Sequence, residues 1–452
     1  MFDEITDALR ASRAEFTEIR VERTWMTTVA FRGRRLETAT QGVDQGAFIR
    51  CFARGRGWGI VSTTDLERID AAVARAYELS LAVPVDRSPL LAPMPPSRSD
   101  GPSALTDDPR TMPLAEKRAL AEGLNTGLLT ADRRVSESYL AARDEVTETW
   151  VGNSEGTLVR DLRFDAAVAA VAMARDEGLD ERAVRSWAAR GGWTDLGDLA
   201  DEVGALATRA IGRLGARRIR PGMLPIVLGP GAAGALLHAA LGHRLEASGQ
   251  VGGVRVGDRI GSALLSVGDD GRGSGLRGSG NWDAEGSPTQ STTLVQHGVV
   301  VARLHGRESA ANSGEAPTGN ARASSFRHAP RPRMTDLFLA TGQGALTDLL
   351  SGISVGVYVP DARGIDFDGG RLRMAAEDAH MIRGGEIAEP VQDVVVRGAA
   401  ADLLQGVDGV AADFAWSRAA SACTSGCDGL VHVGDGAPHV RIRAARVDGE
   451  GG

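Results

Sequence analysis

The second half of the chain is a succession of short apolar runs separated by glycine, with no helix-length segment alternating between them. Residues 293–295, 299–304, 355–359 and 394–396 carry the β-branched content. Parallel strands need a crossover of about a dozen residues or more, usually a helix, so the missing alternation predicts a mostly antiparallel C-terminal domain. The chain as a whole is expected to be α+β. At 452 residues it exceeds one ordinary core, which predicts two or three domains. A helical stretch near 195–215 ends at Gly215, and Pro221 and Gly222 then stand directly before the apolar strand 224–228. The expected division is therefore 1–220 and 221–452.

In the first half, residues 17–62 read as successive short strands punctuated by Gly42, Gly46, Gly55, Gly57 and Gly59. A helix capped by Thr64 should follow, because Leu66, Ile69, Val73 and Ala76 recur at helical spacing. Eight of the 18 prolines fall between Pro84 and Pro113, so 83–113 is expected to be a long surface connection inside the first domain. Residues 114–129 read as a helix. Residues 134–171 read as a hairpin meander turning at Gly152–Gly156.

Composition excludes some functions. A net charge of −8 gives no general attraction to phosphate backbones, so nucleic acid is not an expected partner. Apolar runs are broken well before the roughly 20 residues a membrane span needs. Acidic Asp3 and Glu4 stand where a secretory signal would be basic, and three cysteines cannot build a disulfide framework. A soluble cytoplasmic chain is the expectation. One local exception to the charge is Arg322, Arg327, His328, Arg331 and Arg333, which form either a solvated loop or a groove for a carboxylate or peptide backbone.

After the strand ending at Leu228, a segment of helix formers carries His238 and His243. Five residues apart on an ideal helix, two side chains diverge by about 140° and cannot share one ion. A π-bulge or break at Gly242 would swing His243 round; without one, these are two incidental histidines. A G-x-G-x-x-G match at Gly273–Gly278 lacks a strand before and a helix after it, and so reads as a loop. The other six histidines show no metal-ligand spacing. Most of them read as surface or loop residues, with His328 nearest a substrate because of its basic neighbours.

The segment His238, Ala239, Ala240, Leu241, Gly242, His243, Arg244, Leu245, Glu246 resembles the H-E-A-x-G-H-x-x-E motif of the TldD/PmbA (TldD/TldE) zinc metallopeptidases, with Ala239 at the glutamate position. Asp283, Glu285, Gly286 and Pro288 are similar to that family's D-x-E-G-x-P pattern. Thr318–Arg322 resembles T-G-N-x-R, Arg333–Thr335 resembles R-M-T, and 433–438 is similar to the V-G-x-G-x-P tail. Phe16–Glu22 and Gly46–Thr63 look like its N-terminal domain. The resemblance implies one zinc ion held by His238, His243 and a C-terminal cysteine. Neither candidate aligns without a gap, but Cys423 needs a one-residue shift relative to Val431 and Cys427 needs three, so Cys423 is taken and Cys427 is the alternative.

It further implies a peptidase acting on flexible or unfolded peptides, precursor peptides of natural products among them, in a heterodimer with a TldE/PmbA-like subunit. Two imidazoles and a thiolate leave a fourth position open for water, as catalytic zinc requires. Ala239 supplies no proton acceptor, so the cage is expected intact and turnover poor. Three explanations compete: an engineered loss of the base, a natural subunit that binds peptide or stabilises its partner, or Glu246 taking over, whose simpler reading is support of a ligand. Arg322, Arg327, His328 and Arg333 are the expected substrate-binding residues.

Overall fold

The computed structural model describes residues 1–101, 107–247, 253–273, 275–424 and 429–449. The fold is α+β, built from mainly antiparallel sheets. Two long strands, Phe16–Arg32 and Arg35–Phe52, form a hairpin, and Val135–Asn153 and Leu158–Asp176 form a second beside it. Gly59–Thr63 closes one edge of this seven-stranded sheet, while Leu179–Arg190 pairs with Leu158–Asp176 towards the other. The short strands expected over 17–62 are thus mostly one hairpin. Gly42 and Gly46 do not break it, because both stay in the ladder opposite Met26 and Glu22. Gly46 serves a close approach instead: a Cβ there would lie 2.2 Å from the ring of Phe326.

Side chains alternate across a strand, and this sheet uses its two faces differently. Ile19, Val21, Val29 and Phe31 point to one face and are buried there. Helices Leu114–Thr130 and Ala200–Arg213 cover Val29 and Phe31, and helices Phe2–Ala11 and Ile69–Leu81 cover Ile19 and Val21. The last of these is preceded by a 3-10 turn whose Asp65 carboxylate, not Thr64, accepts the N–H of Glu67 at 3.2 Å. On the other face Glu18, Arg20 and Glu22 are buried although charged, because this face meets the C-terminal half of the chain.

In that half, strands Gly222–Leu228, Val440–Gly449, Val394–Ala399, Arg371–Arg383 and Val355–Asp368 pair in sequence, and the last pairs back with the first. The ring is a closed five-stranded barrel with a single parallel pairing. A second sheet includes Val267–Asp270, Ser291–Gln296, Asp336–Leu339 and Gly434–Ala437. Helix Pro230–Leu237 packs between barrel and sheet, and its Ala232, Leu236 and Leu237 share one core with Leu228, Val359 and Leu337. Of the expected strand 299–304, only Val299–Val300 is in a ladder.

Buried charge joins the halves. Arg50 lies 3.0 Å from Glu18 of its own sheet and 2.6 Å from Glu285 of the C-terminal half. The Arg20 guanidinium donates to the carbonyls of Ser325 and His328, both at 2.9 Å. The proline-rich connection is tied across the same boundary, since Ala92 exchanges two 3.0 Å hydrogen bonds with Arg307. No helix among the described residues is long and apolar enough to cross a membrane.

Removing Arg50 would leave two carboxylates buried without their cation. Arg50→Met should therefore cost about 3–5 kcal/mol in denaturant unfolding. Arg327→Met, which breaks the exposed pair with Asp44, should cost less than about 1 kcal/mol. Equal costs for the two would refute the assignment of Arg50 as the link.

Candidate metal centre

Helix Pro230–Leu237 begins after Gly229 with proline in its first turn, where a missing N–H costs nothing. It continues into a π-turn over His238–Gly242 and ends in a short helical turn, His243–Leu245. A π-turn closes i to i+5, so a spacing that diverges on an α-helix becomes a same-face spacing here. The two imidazole rings stand 5.0 Å apart at 83°. Gly242 is needed for contact: a Cβ would lie 2.0 Å from the sulfur of Met334.

Cys423 arrives from far along the chain, on the short hairpin that pairs Ala422–Cys423 with Val431–His432. Its Sγ lies 3.5 Å from His243 Nε2, and the donor atoms of His238, His243 and Cys423 all fall within 4.8 Å of one another. Cys427 lies outside the described residues. Cys51 is a core residue of the N-terminal sheet, and burial pushes its thiol up to about 12.

Each histidine is held from behind. His238 Nδ1 lies 2.9 Å from Asp435 Oδ1, and His243 Nδ1 lies 3.4 Å from Glu246 Oε2. Asp435 reaches His238 because helix and strand touch without an intervening side chain: a Cβ on Gly234 would sit 3.2 Å from Asp435 Cβ. Burial disfavours a charged His238, but Asp435 and Cys423 outweigh it and raise the ring to about 10. His243 is likewise raised, to about 9, by Cys423 and Glu246 against burial. Burial also opposes the thiolate of Cys423, yet the two imidazoles lower it to about 4.

This donor set suits zinc. Ligand bonds of about 2.3 Å to sulfur and 2.0 Å to nitrogen at a tetrahedral angle separate the two donors by roughly 3.5 Å. That is the spacing found between Cys423 and His243. With both Nδ1 atoms engaged by carboxylates, the Nε2 atoms are left for an ion.

Ala239 presents only a methyl group beside this centre. Glu246 is occupied elsewhere. Its Oε2 faces His243, while its Oε1 accepts the N–H of Met334 at 3.3 Å and lies 3.7 Å from Arg333 Nε.

The other motif residues hold the surrounding loops. Asp269 accepts from Asn320 Nδ2 and from the N–H of Thr335, both at 2.8 Å, tying T-G-N-x-R to R-M-T. Asp283 accepts the backbone N–H groups of Glu285, Ser287 and Ala321. Glu285 accepts from Arg307 N as well as from Arg50. A strand, Val267–Asp270, does precede Gly273–Gly278, against expectation, but no helix follows it, and Ser274 lies outside the described residues. Gly278 instead donates to Asp336 at 3.1 Å.

The basic cluster divides. Arg333 is buried and donates to the carbonyl of Cys423 at 3.1 Å. Arg322 donates to the carbonyl of Met334 at 2.6 Å and, with His328, lines a cavity of about 410 Å³ beneath the charged sheet face. Arg327 does not line that cavity; it pairs at the surface with Asp44, which does. Arg331 lines a separate cavity with Glu285 and Arg50. No single groove collects the five.

His432, read from sequence as a surface or loop residue, is half-buried and lies 2.9 Å from Arg277 Nη2. Burial and the arginines 277, 322, 143 and 163 push it down to about 2. Asp435, Arg277 and His432 are the residues the sequence reading missed. Asp435 was visible inside a recognised motif, but no signal gave its contact.

Comparison with known proteins bears on the whole chain. The signature of the PmbA/TldA metallopeptidase C-terminal domain matches residues 221–449, that of domain 1 matches 17–80, and that of the central domain matches 107–211. A metalloprotease of Synechocystis (slr0863) is 32% identical over 446 residues, covering 97% of this chain and 96% of the relative. A metalloprotease of Methanothermobacter thermautotrophicus is 30% identical over 460 residues, with 97% and 96% covered. A zinc metalloprotease TldD homolog of Saccharolobus solfataricus is 27% identical over 263 residues, 56% of this chain and 58% of the relative. Among solved structures, TldE of Thermococcus kodakarensis superposes with a TM-score of 0.78 at 18% identity, covering 99% of both chains, which shows the shared fold. With all three signatures matched in order and relatives aligned almost end to end, the chain belongs to the PmbA/TldD metallopeptidase family.

Proposed function

We propose that this chain is the metal-bearing, TldD-type subunit of a zinc peptidase acting on flexible or unfolded peptides, with His238, His243 and Cys423 as the ligands. The observation that carries the reading is the convergence of these three donors within 4.8 Å, two of them backed by Asp435 and Glu246. Bound there, zinc would polarise the scissile carbonyl and lower the pKa of a bound water to about 7. The chain's own residues do the rest. Asp435 and Glu246 orient the rings, and Arg333 fixes the hairpin that carries Cys423.

What the chain lacks is a proton acceptor. Ala239 has none, and both oxygens of Glu246 already face other groups. We therefore read Glu246 as a positioning residue and the chain as impaired in turnover. The same observation favours a second reading, a subunit that holds peptide or stabilises an active partner. A TldE/PmbA-like subunit is the partner proposed in either case, supported by the family and by the shared fold with TldE. Precursor peptides of natural products are the proposed substrates, and the cytoplasm is the proposed location.

Restoring the acid separates the two readings. Ala239→Glu, assayed on unfolded peptides with the partner subunit and zinc, should raise cleavage by about 10²–10⁴-fold. No cleavage at any zinc loading would favour the binding subunit.

Metal affinity tests the cage independently. Competition with a chromophoric chelator should show one tight equivalent in the chain as it stands and severe loss in Cys423→Ser. Asp435→Ala should weaken binding about 10–100-fold, as loss of a carboxylate behind a ligating histidine typically does. A chain that binds no zinc tightly would overturn the assignment.

A further inference from the structure

The charged face of the N-terminal sheet does not close completely on the C-terminal half. It leaves the cavity of about 410 Å³, roofed by Trp282, Arg322 and His328 and walled on the sheet side by Thr147, Thr149 and Arg163. Most of its arginines are already matched. Arg20 pairs with Glu22 at 2.8 Å, Arg143 with Glu145 at 3.1 Å, Arg163 with Asp161 at 3.3 Å and Arg277 with Asp165 at 3.2 Å.

Arg322 is the exception. It is buried, with 8% of its surface exposed, and uses one N–H on the carbonyl of Met334. Among the described residues no carboxylate lies within ion-pair distance of it. Asp336 and Asp269 attract it only from beyond that distance. A buried guanidinium without a direct ionic partner is costly, so the site leaves a place for one. Burial, with Arg163 next, lowers Arg322 to about 10 against the opposing pull of Asp336 and Asp269.

A second donor stands at the same end. Arginine can only donate, so Arg277 Nη2 donates to His432 Nε2, and the neutral ring must carry its hydrogen on Nδ1. That Nδ1 is buried with no partner among the described residues. His432 and Val431 line the cavity, and they are the strand that pairs with Ala422 and Cys423. A strand that lines the cavity thus runs one strand spacing, about 5 Å, from the backbone of the proposed ligand.

We propose that this cavity is a carboxylate-recognition subsite, in which Arg322 receives a carboxylate carried by the peptide substrate. The source is either the α-carboxylate of a peptide C-terminus or an aspartate or glutamate side chain. The identity of the ligand as a peptide rests on the peptidase reading above. The planar fork of an arginine suits such a partner because it offers two parallel N–H donors.

The test uses the full zinc-loaded chain as it stands, with Ala239 keeping peptide uncleaved. Fluorescence anisotropy compares three labelled peptides of one sequence: neutral with an amidated end, neutral with a free end, and amidated with one internal glutamate. At least one acid peptide should bind about tenfold or more tightly than the neutral one, and the acid that wins identifies the source. Arg322→Met should abolish the preference. Should that variant fail to fold, Thr149→Glu, which adds a carboxylate to the wall, should weaken binding of the acid peptide selectively.

Equal affinities for all three peptides, or a preference that survives Arg322→Met, would overturn the proposal. Cleavage by Ala239→Glu with no charge preference would remove the subsite and leave the peptidase. Arg322-dependent binding of glutarate, with no peptide ever cleaved, would leave the anion site and remove the peptidase.

Discussion

The candidate centre depends on one local departure from regular helix. Between His238 and Gly242 the backbone closes i to i+5, and two imidazoles that would otherwise diverge face one point. A widened turn is tolerated only where its surroundings hold it. Here Met334 fills the space left by Gly242, and Asp435 grips His238 across a helix–strand contact that Gly234 keeps close. The thiolate of Cys423 completes the triad from a hairpin 180 positions further along the chain than His243.

Around that centre, the motif residues act mainly as cross-links. Asp269 joins two motifs by accepting from Asn320 and Thr335, and Asp283 shapes its own turn through two backbone N–H groups and holds Ala321 through a third. Glu285 joins the halves of the chain through Arg50. Such buried carboxylates are costly unless their lone pairs are satisfied, which is why they sit among donors contributed by several loops. The charged sheet face follows the same rule. Its arginines and acids are paired almost throughout, and Arg322, with no ion-pair partner among the described residues, stands out against that background.

Holding a metal and turning over a substrate are separable demands in this arrangement. The donors and the groups behind them are in place, whereas the neighbouring position carries a methyl group. Glu246, close in sequence, is committed to His243 and Met334. Proximity along the chain therefore gives it no free oxygen.

The α+β class and the helices near 69–81, 114–130 and 200–213 could be read from the sequence, because apolar periodicity and turn residues are local signals. So could the need for a distortion at His238 and His243, since five residues cannot share a helix face. The order of linear motifs carried the family. The closed barrel, the uninterrupted hairpin through Gly42 and Gly46, and the contact of Asp435 with His238 were not legible, because each depends on which distant surface arrives at a given position. The basic cluster shows the same limit. Five residues close in sequence scatter to different environments, and burial and ion pairing, which only the tertiary structure assigns, leave Arg322 without an ion-pair partner among the described residues and give Arg327 one at the surface.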